Sequence, residues 1–181
     1  TGGEIETGSI VLAQKNAGGS GTLVLDGGVA TVGGVSKGDG SGATKFSANG
    51  GVLRAPGASA SFISGLYVAE LGSKGLTIDT QKYSITVPQA FRDAEGARGR
   101  LVKVGSGRLT LSGTGSVPSE IVAAEGTLAF AAGAATETSL VVTNGATALT
   151  PNGSAFTSLT VRDGVLTLGC DRTATAGAVE L

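Results

Sequence analysis

Between Val102 and Leu168 the apolar positions fall into four similar units, VKVGSGRLTL, IVAAEGTLAF, LVVTNGATAL and LTVRDGVLTL. Each has two apolar residues two apart, a polar residue followed by Gly, and two more apolar residues two apart. The glycines are Gly107, Gly126, Gly145 and Gly164, a spacing of 19, with Ser106, Glu125, Asn144 and Asp163 just before them. Alternation of period two places the apolar residues on one face of a strand, so each unit predicts two short strands joined at a corner. A corner of this kind needs φ > 0 at one residue, which Gly adopts without a Cβ penalty.

Aligned at this spacing, the units form four apolar columns. These are Val102, Ile121, Leu140 and Leu159; Val104, Ala123, Val142 and Val161; Leu109, Leu128, Thr147 and Leu166; and Leu111, Phe130, Leu149 and Leu168, with Thr147 the one polar member. No unit is apolar enough to fold alone, but stacked units bury one another's faces. The expectation is a β-helix of about 8–9 coils rather than a meander of hairpins, because the repeat stays in register through uneven loops and turns at corners rather than at two-residue reversals.

The same template fits the N-terminal half with looser spacing. It matches Ile5, Gly8, Ile10 and Leu12, and then begins at Leu23, Phe46 and Ala69, each 23 apart, with corners at Gly27-Gly28, Gly50-Gly51 and Ser73-Lys74. Two stretches depart from it. Residues 33–45 read as a mobile Gly-rich loop. Residues 79–101 contain an alternating strand, Tyr83, Ile85 and Val87, ended by Pro88, followed by a charged segment with room for a short helical turn. The chain therefore reads as one domain over residues 1–181, irregular over 1–100 and regular over 101–181. At the C-terminus Ala178 and Glu180 open another coil, so further coils of the same chain, or a cap, are expected there.

Composition sharpens this picture. With 32 Gly, only 7 aromatic residues and no His, Trp or Met, the chain is unusual, yet 40% of residues are hydrophobic and the net charge is −1, which does not suit a disordered segment. The near-neutral balance offers no electrostatic footprint for nucleic acid, and no apolar run is long enough for a membrane-spanning helix. Cys170 is the single cysteine and has no intrachain partner; a small apolar packing role is expected.

Candidate chemistry is sparse. GDGSG at residues 38–42 is similar to the Gly-Asp-Ser-Gly of trypsin-like proteases, but the residue order differs and no His exists to accept the serine proton. The lack of His with a single Cys removes the usual zinc sites. Asp39, Asp79, Asp93 and Asp163 are too scattered in sequence for a calcium loop. No metal, cofactor or catalytic residue is assigned. Arg92, Asp93, Glu95, Arg98 and Arg100 form the one charged cluster and are the candidate recognition loop. Glu4, Glu6, Glu70 and Glu120 belong to different units and share no column.

The residues KVGSGRLTLSG (Lys103–Gly113), EGTLAF (Glu125–Phe130) and GLTIDT (Gly75–Thr80) resemble the autotransporter-associated β-strand repeat of secreted Gram-negative passenger domains. Gly105, Gly107, Leu109, Leu111 and Gly113 carry the likeness. The resemblance implies a right-handed single-stranded parallel β-helix, secreted or at the cell surface, and says little about its target. The first expectation is a non-enzymatic stalk or adhesin scaffold whose loops are available to host or matrix glycans or proteins. Because β-helices often host such activity, a glycoside hydrolase or polysaccharide lyase with its acidic residues in the 88–100 loop is the alternative. Hydrolysis requires two carboxylates facing one groove, and a lyase requires a base with neighbouring cations.

Overall fold

A computed structural model describes residues 2–14, 18–134, 136–151, 154–169, 175–176 and 179–180. Those residues form an all-β solenoid in which every strand pairing is parallel. Parallel pairing throughout residues 102–168 rules out the meander.

One sheet runs the length of the rod. Its nine strands are Glu4–Thr7, Val29–Val32, Val52–Arg54, Leu76–Asp79, Arg100–Val104, Glu120–Ala123, Ser139–Thr143, Ser158–Arg162 and Val179–Glu180, one from each pass of the chain. A second face starts with Ile10–Leu12, Val35–Lys37 and Ile63–Ser64 and continues as Ser84–Val87, Arg108–Leu111, Thr127–Phe130, Thr147–Leu149 and Val165–Thr167. A bridge between Ser59 and Ile85 joins the two parts. The third face holds Gly21–Leu25, Thr44–Ala48, Val68–Leu71 and Arg92–Asp93. It then carries no strand over Ser112–Ser119, and resumes as Ala155–Phe156 against Thr175–Ala176.

The core is the stack of inward residues predicted by the alternation. Leu23 pairs with Phe46 and Phe46 with Ala69, as the 23-residue spacing requires, and Phe46, Ala48, Leu53, Ala55, Leu71 and Ile78 have no more than 1% of their surface exposed. In the C-terminal half Ile121, Leu140, Ala123, Val142, Leu109 and Leu128 are fully buried in the same way. Such a stack removes apolar surface from water at about 25 cal/mol per Å². Phe130, at the end of a second-face strand, and Phe156, in a third-face strand, add an edge-to-face contact, centroids 5.9 Å apart.

The even 19-residue count misplaces part of the columns. Leu101 pairs with Ile121 and Lys103 with Ala123, a step of 20, so Leu101 and Lys103 point inward while Val102 and Val104 lie on the outer side. In the third unit Leu128 pairs with Ala148, so Ala148 and the buried Thr150 are inward and Thr147 and Leu149 are not. The reason lies at the corners. Five residues separate the last inward position before the corner from the first after it in units one and three, against four in units two and four. Thr147 was thus no exception within the core. Leu168, the end of a predicted column, is 40% exposed.

The corner glycines divide differently, units two and three against one and four. Gly126 (φ 61°) and Gly145 (φ 72°) have the expected left-handed backbone. At Gly107 and Gly164 the backbone is not left-handed; Gly105 (φ 82°) and Asp163 (φ 52°) turn those corners instead. Gly107 is still constrained, because a Cβ there would collide with the backbone of Tyr83.

Three further expectations need correction. Residues 33–45 are not a loose loop: Val35–Lys37 is a strand paired on both sides, Val35 and Thr44 are fully buried, and the Lys37 ammonium donates to the carbonyls of Gly38 and Gly40. The charged segment after Pro88 has no helical turn; Arg92–Asp93 is a short strand, and Ala97 N donates to Ala94 O at 2.9 Å to close a turn. At the C-terminal end Val179, not Ala178, is in register with Leu159. Ala178 and Cys170 lie outside the described residues.

Candidate functional site

The third face positions the charged residues. On it Ser47 pairs with Glu70 and Glu70 with Arg92, giving an outward column across three coils. Lys45, one outward position earlier, reaches Glu70 and forms an ion pair with it, while Arg92 Nη2 lies 3.3 Å from the other Glu70 oxygen. These three side chains, with Asp93 and Glu95, border a depression of about 410 Å³.

Glu70 is the pivot. Its side chain is only 11% exposed, whereas Lys45 and Arg92 are about half in solvent. The hydrogen bond from Lys45 holds the Glu70 carboxyl below its ordinary value; burial opposes this, and the charges of Lys45 and Arg92 support it. Glu70 is therefore an ionised, doubly paired carboxylate. Asp93 is engaged as well, accepting hydrogen bonds from Ser119 N at 2.8 Å and from the Ser119 hydroxyl, which tie this coil to the next. Glu95 sits exposed at the tip of the turn.

The five predicted recognition residues do not form one site. Arg92, Asp93 and Glu95 share the depression just described. Arg98 and Arg100 instead border a second one, of about 310 Å³, with Ser73, Ser119, Glu120 and Ser139. There Arg100 Nε lies 2.6 Å from Glu120 Oε2, the residue it faces across the long sheet. Sequence reasoning did not place Lys45 or Glu70 at the site. The signal was present, since Ser47 and Glu70 are 23 apart, the spacing that aligned Phe46 with Ala69. The spacing that aligns inward residues aligns the outward ones as well. Glu4, Glu6, Glu70 and Glu120 do occupy separate columns, but those of Glu6, Glu70 and Glu120 each contain an arginine.

The least expected polar group is inside the rod. Lys103 is fully buried, and its ammonium donates to the carbonyls of Val104 (2.9 Å), Gly105 (2.7 Å) and Glu125 (3.0 Å) at the five-residue corner. Burial pushes its pKa down to about 8, against the pull of the Glu125 and Asp79 carboxylates. It clamps three carbonyls at this corner, of which that of Val104 also accepts from Thr80 N and from the Thr80 hydroxyl. Its position is explained by the 20-residue step, which the even count concealed.

Among the described residues no three His, Cys, Asp or Glu side chains gather as a metal site would require, and no helix is long and apolar enough to cross a membrane. No family model matches the chain, and neither a curated protein nor a solved structure matches it.

Proposed function

We propose that the chain is a non-enzymatic structural or adhesive segment of a β-solenoid displayed outside a Gram-negative bacterial cell, similar to autotransporter passengers. The depression around Glu70 recognises host or matrix glycans or proteins. The observation that carries this reading is the state of the carboxylates in that depression. Glu70 is held ionised between two cations and Asp93 is fixed by Ser119, so both stabilise the joints between coils rather than standing ready to transfer a proton. The partly exposed Arg92, the turn around Glu95 and the nearby Tyr67, 79% exposed, remain available to a ligand.

A carbohydrate-active β-helix is the second reading, favoured by one fact: carboxylates from two adjacent coils border one depression. A general acid must hold its proton near working pH, and the environment of Glu70 does the reverse. Incubation with plant and host polysaccharides, read by reducing ends and unsaturated products, separates the two. The scaffold reading expects no product; product formation that Asp93→Asn or Glu70→Gln abolishes would replace it with the enzymatic one.

A further inference from the structure

Arg92 borders a second depression besides the one around Glu70. It measures about 200 Å³ and draws on three successive coils, with Tyr67 and Val68 from one, Gln89, Ala90 and Arg92 from the next, and Ser116 from the third. Its floor is made of outward side chains. Val68 pairs with Lys45 on the outer side of the third face, and Ala90 lies two residues before Arg92, with the buried Phe91 between them. Both are small and uncharged, so the floor is apolar.

Tyr67 forms the wall on a pinned backbone. Its N–H donates to the hydroxyl of the fully buried Thr44 at 3.1 Å, and the N–H of Leu66 donates to Gln89 Oε1 at 2.9 Å. The coils before and after thus both hold this segment. Yet the Tyr67 ring stands in solvent, and no aromatic or cationic partner covers it among the described residues. An aromatic ring left in water adds little to folding, whereas a pre-placed one lowers the ordering cost of binding.

Arg92 is the one charged residue lining this depression. Its Nη2 lies 3.3 Å from Glu70, and no other hydrogen bond occupies the guanidinium among the described residues, so N–H donors remain for an anion. Gln89 is already spent on Leu66 N and, at 3.2 Å, on Ala90 O. An apolar floor, one aromatic face and one unspent cation fit a pyranose that carries a carboxylate. The C–H face of the sugar meets the electron-rich face of Tyr67, and the carboxylate meets Arg92. A volume below that of ordinary small-molecule sites limits the enclosed part to one ring. The depression is lined by side chains and is not an open strand edge, so it offers a peptide backbone no ladder to join.

Resting on the recognition role proposed above, we infer that this depression holds one acidic sugar ring, a uronate or a sialate, stacked on Tyr67 with its carboxylate on Arg92. The intact chain is titrated calorimetrically with oligosaccharides ending in glucuronate or in sialate, each beside its neutral parent, and with matrix proteins. Tyr67→Ala, Tyr67→Phe and Arg92→Gln are compared with wild type. The expected result is an acidic oligosaccharide bound about tenfold or more tighter than its neutral parent. That binding weakens about tenfold in Tyr67→Ala at an unchanged thermal midpoint, survives in Tyr67→Phe, and loses its preference for the acid in Arg92→Gln. Which of the two acids binds distinguishes uronate from sialate. Equal binding of acidic and neutral sugars, or acidic binding that Tyr67→Ala leaves intact, overturns the inference. Matrix-protein binding that Arg92→Gln abolishes, with no sugar bound, overturns it too while the wider recognition role stands; if neither sugar nor protein binds, both fall.

Discussion

Coils before Leu101 and coils after it bury the same columns of residues but close in different ways. The earlier coils step by 23 to 25 residues along the long sheet and carry strands on all three faces. The later ones step by 19 or 20 and leave the third face without strands over Ser112–Ser119. The extra residues of the longer coils add a third sheet with an outward surface, and the Lys45, Glu70 and Arg92 network stands on that surface. The short coils keep the core and discard the platform. Length per coil is thus the variable that separates the half with the outward charged network from the half without it.

The template of two apolar residues, a corner and two more does not always span the same corner: Ile5 to Leu12 joins the long sheet to the second face, but the matches that begin at Leu23, Phe46 and Ala69 do not. In Leu23 to Val32 it joins the third face to the long sheet, whereas in Leu101 to Leu111 it joins the long sheet to the second face. A single alternating pattern cannot reveal which corner it describes, because both place apolar residues inward.

The comparison is broken most severely in the core. Phe46→Ala should cost about 3–5 kcal/mol and Leu140→Ala about 2–5 kcal/mol, both measured by denaturant unfolding. In a stack with nearest-neighbour contacts, exchange should speed up most in the altered coil and those beside it. Uniform loss of protection over both halves would show instead that the rod unfolds as one unit.

Lys103 stands where the two halves meet and gives the next effect. The unfolded chain holds the lysine proton up to about pH 10.5, whereas the folded chain releases it near 8. The unfolded state binds more protons in that window, so stability rises with pH, by on the order of 3 kcal/mol in total. Chemical unfolding of wild type and Lys103→Met between pH 7.5 and 10.5 checks this, since the rise should vanish in the variant.

Corner geometry makes a finer distinction. Gly126→Val and Gly145→Val both force a β-branched residue to positive φ, about 1–3 kcal/mol. A side chain at Gly126 also meets the carbonyls of Gly105 and Gly107, while Gly145 faces open space. Gly126→Val should therefore lower the thermal midpoint more; equal losses would mean that backbone strain alone matters.

The smallest effect belongs to the platform. Glu70→Gln removes a carboxylate whose two cations are half in solvent, so the loss at neutral pH is about 1 kcal/mol or less. Its sign with pH is fixed: the folded value is depressed, so the contribution is present above the unfolded value of 4.5 and disappears as pH falls through the folded one. Acid titration of stability should be shallower in Glu70→Gln below pH 4.5.

Much of the fold was legible. Period-two alternation identified the strands, the 23-residue spacing gave the correct register of Leu23, Phe46 and Ala69, and the uneven loops pointed to coils rather than hairpins. What the pattern hid was the one-residue difference between corners, which shifts a strand's inward set and conceals a buried Lys103 behind the apolar Val102 and Val104. The site was legible only in part. Arg92, Asp93 and Glu95 stood out by charge density, but Glu70 and Lys45 approach them across coils, and isolated charges in strands read as ordinary solvent-facing positions. The depression could be found only by carrying the coil spacing through the outward residues.

The division of labour between the halves is tested most directly by binding of the intact chain to arrays of host glycans and matrix proteins. Two variants are compared with wild type: Arg92→Ala on the three-sheeted half, and Arg162→Ala, which removes an exposed ion pair with Glu180 on the short-coiled half. A scaffold that recognises ligands through its platform predicts at least about tenfold weaker binding for Arg92→Ala, about 1.4 kcal/mol, with Arg162→Ala unchanged. Binding that survives Arg92→Ala and is lost in Arg162→Ala would contradict it.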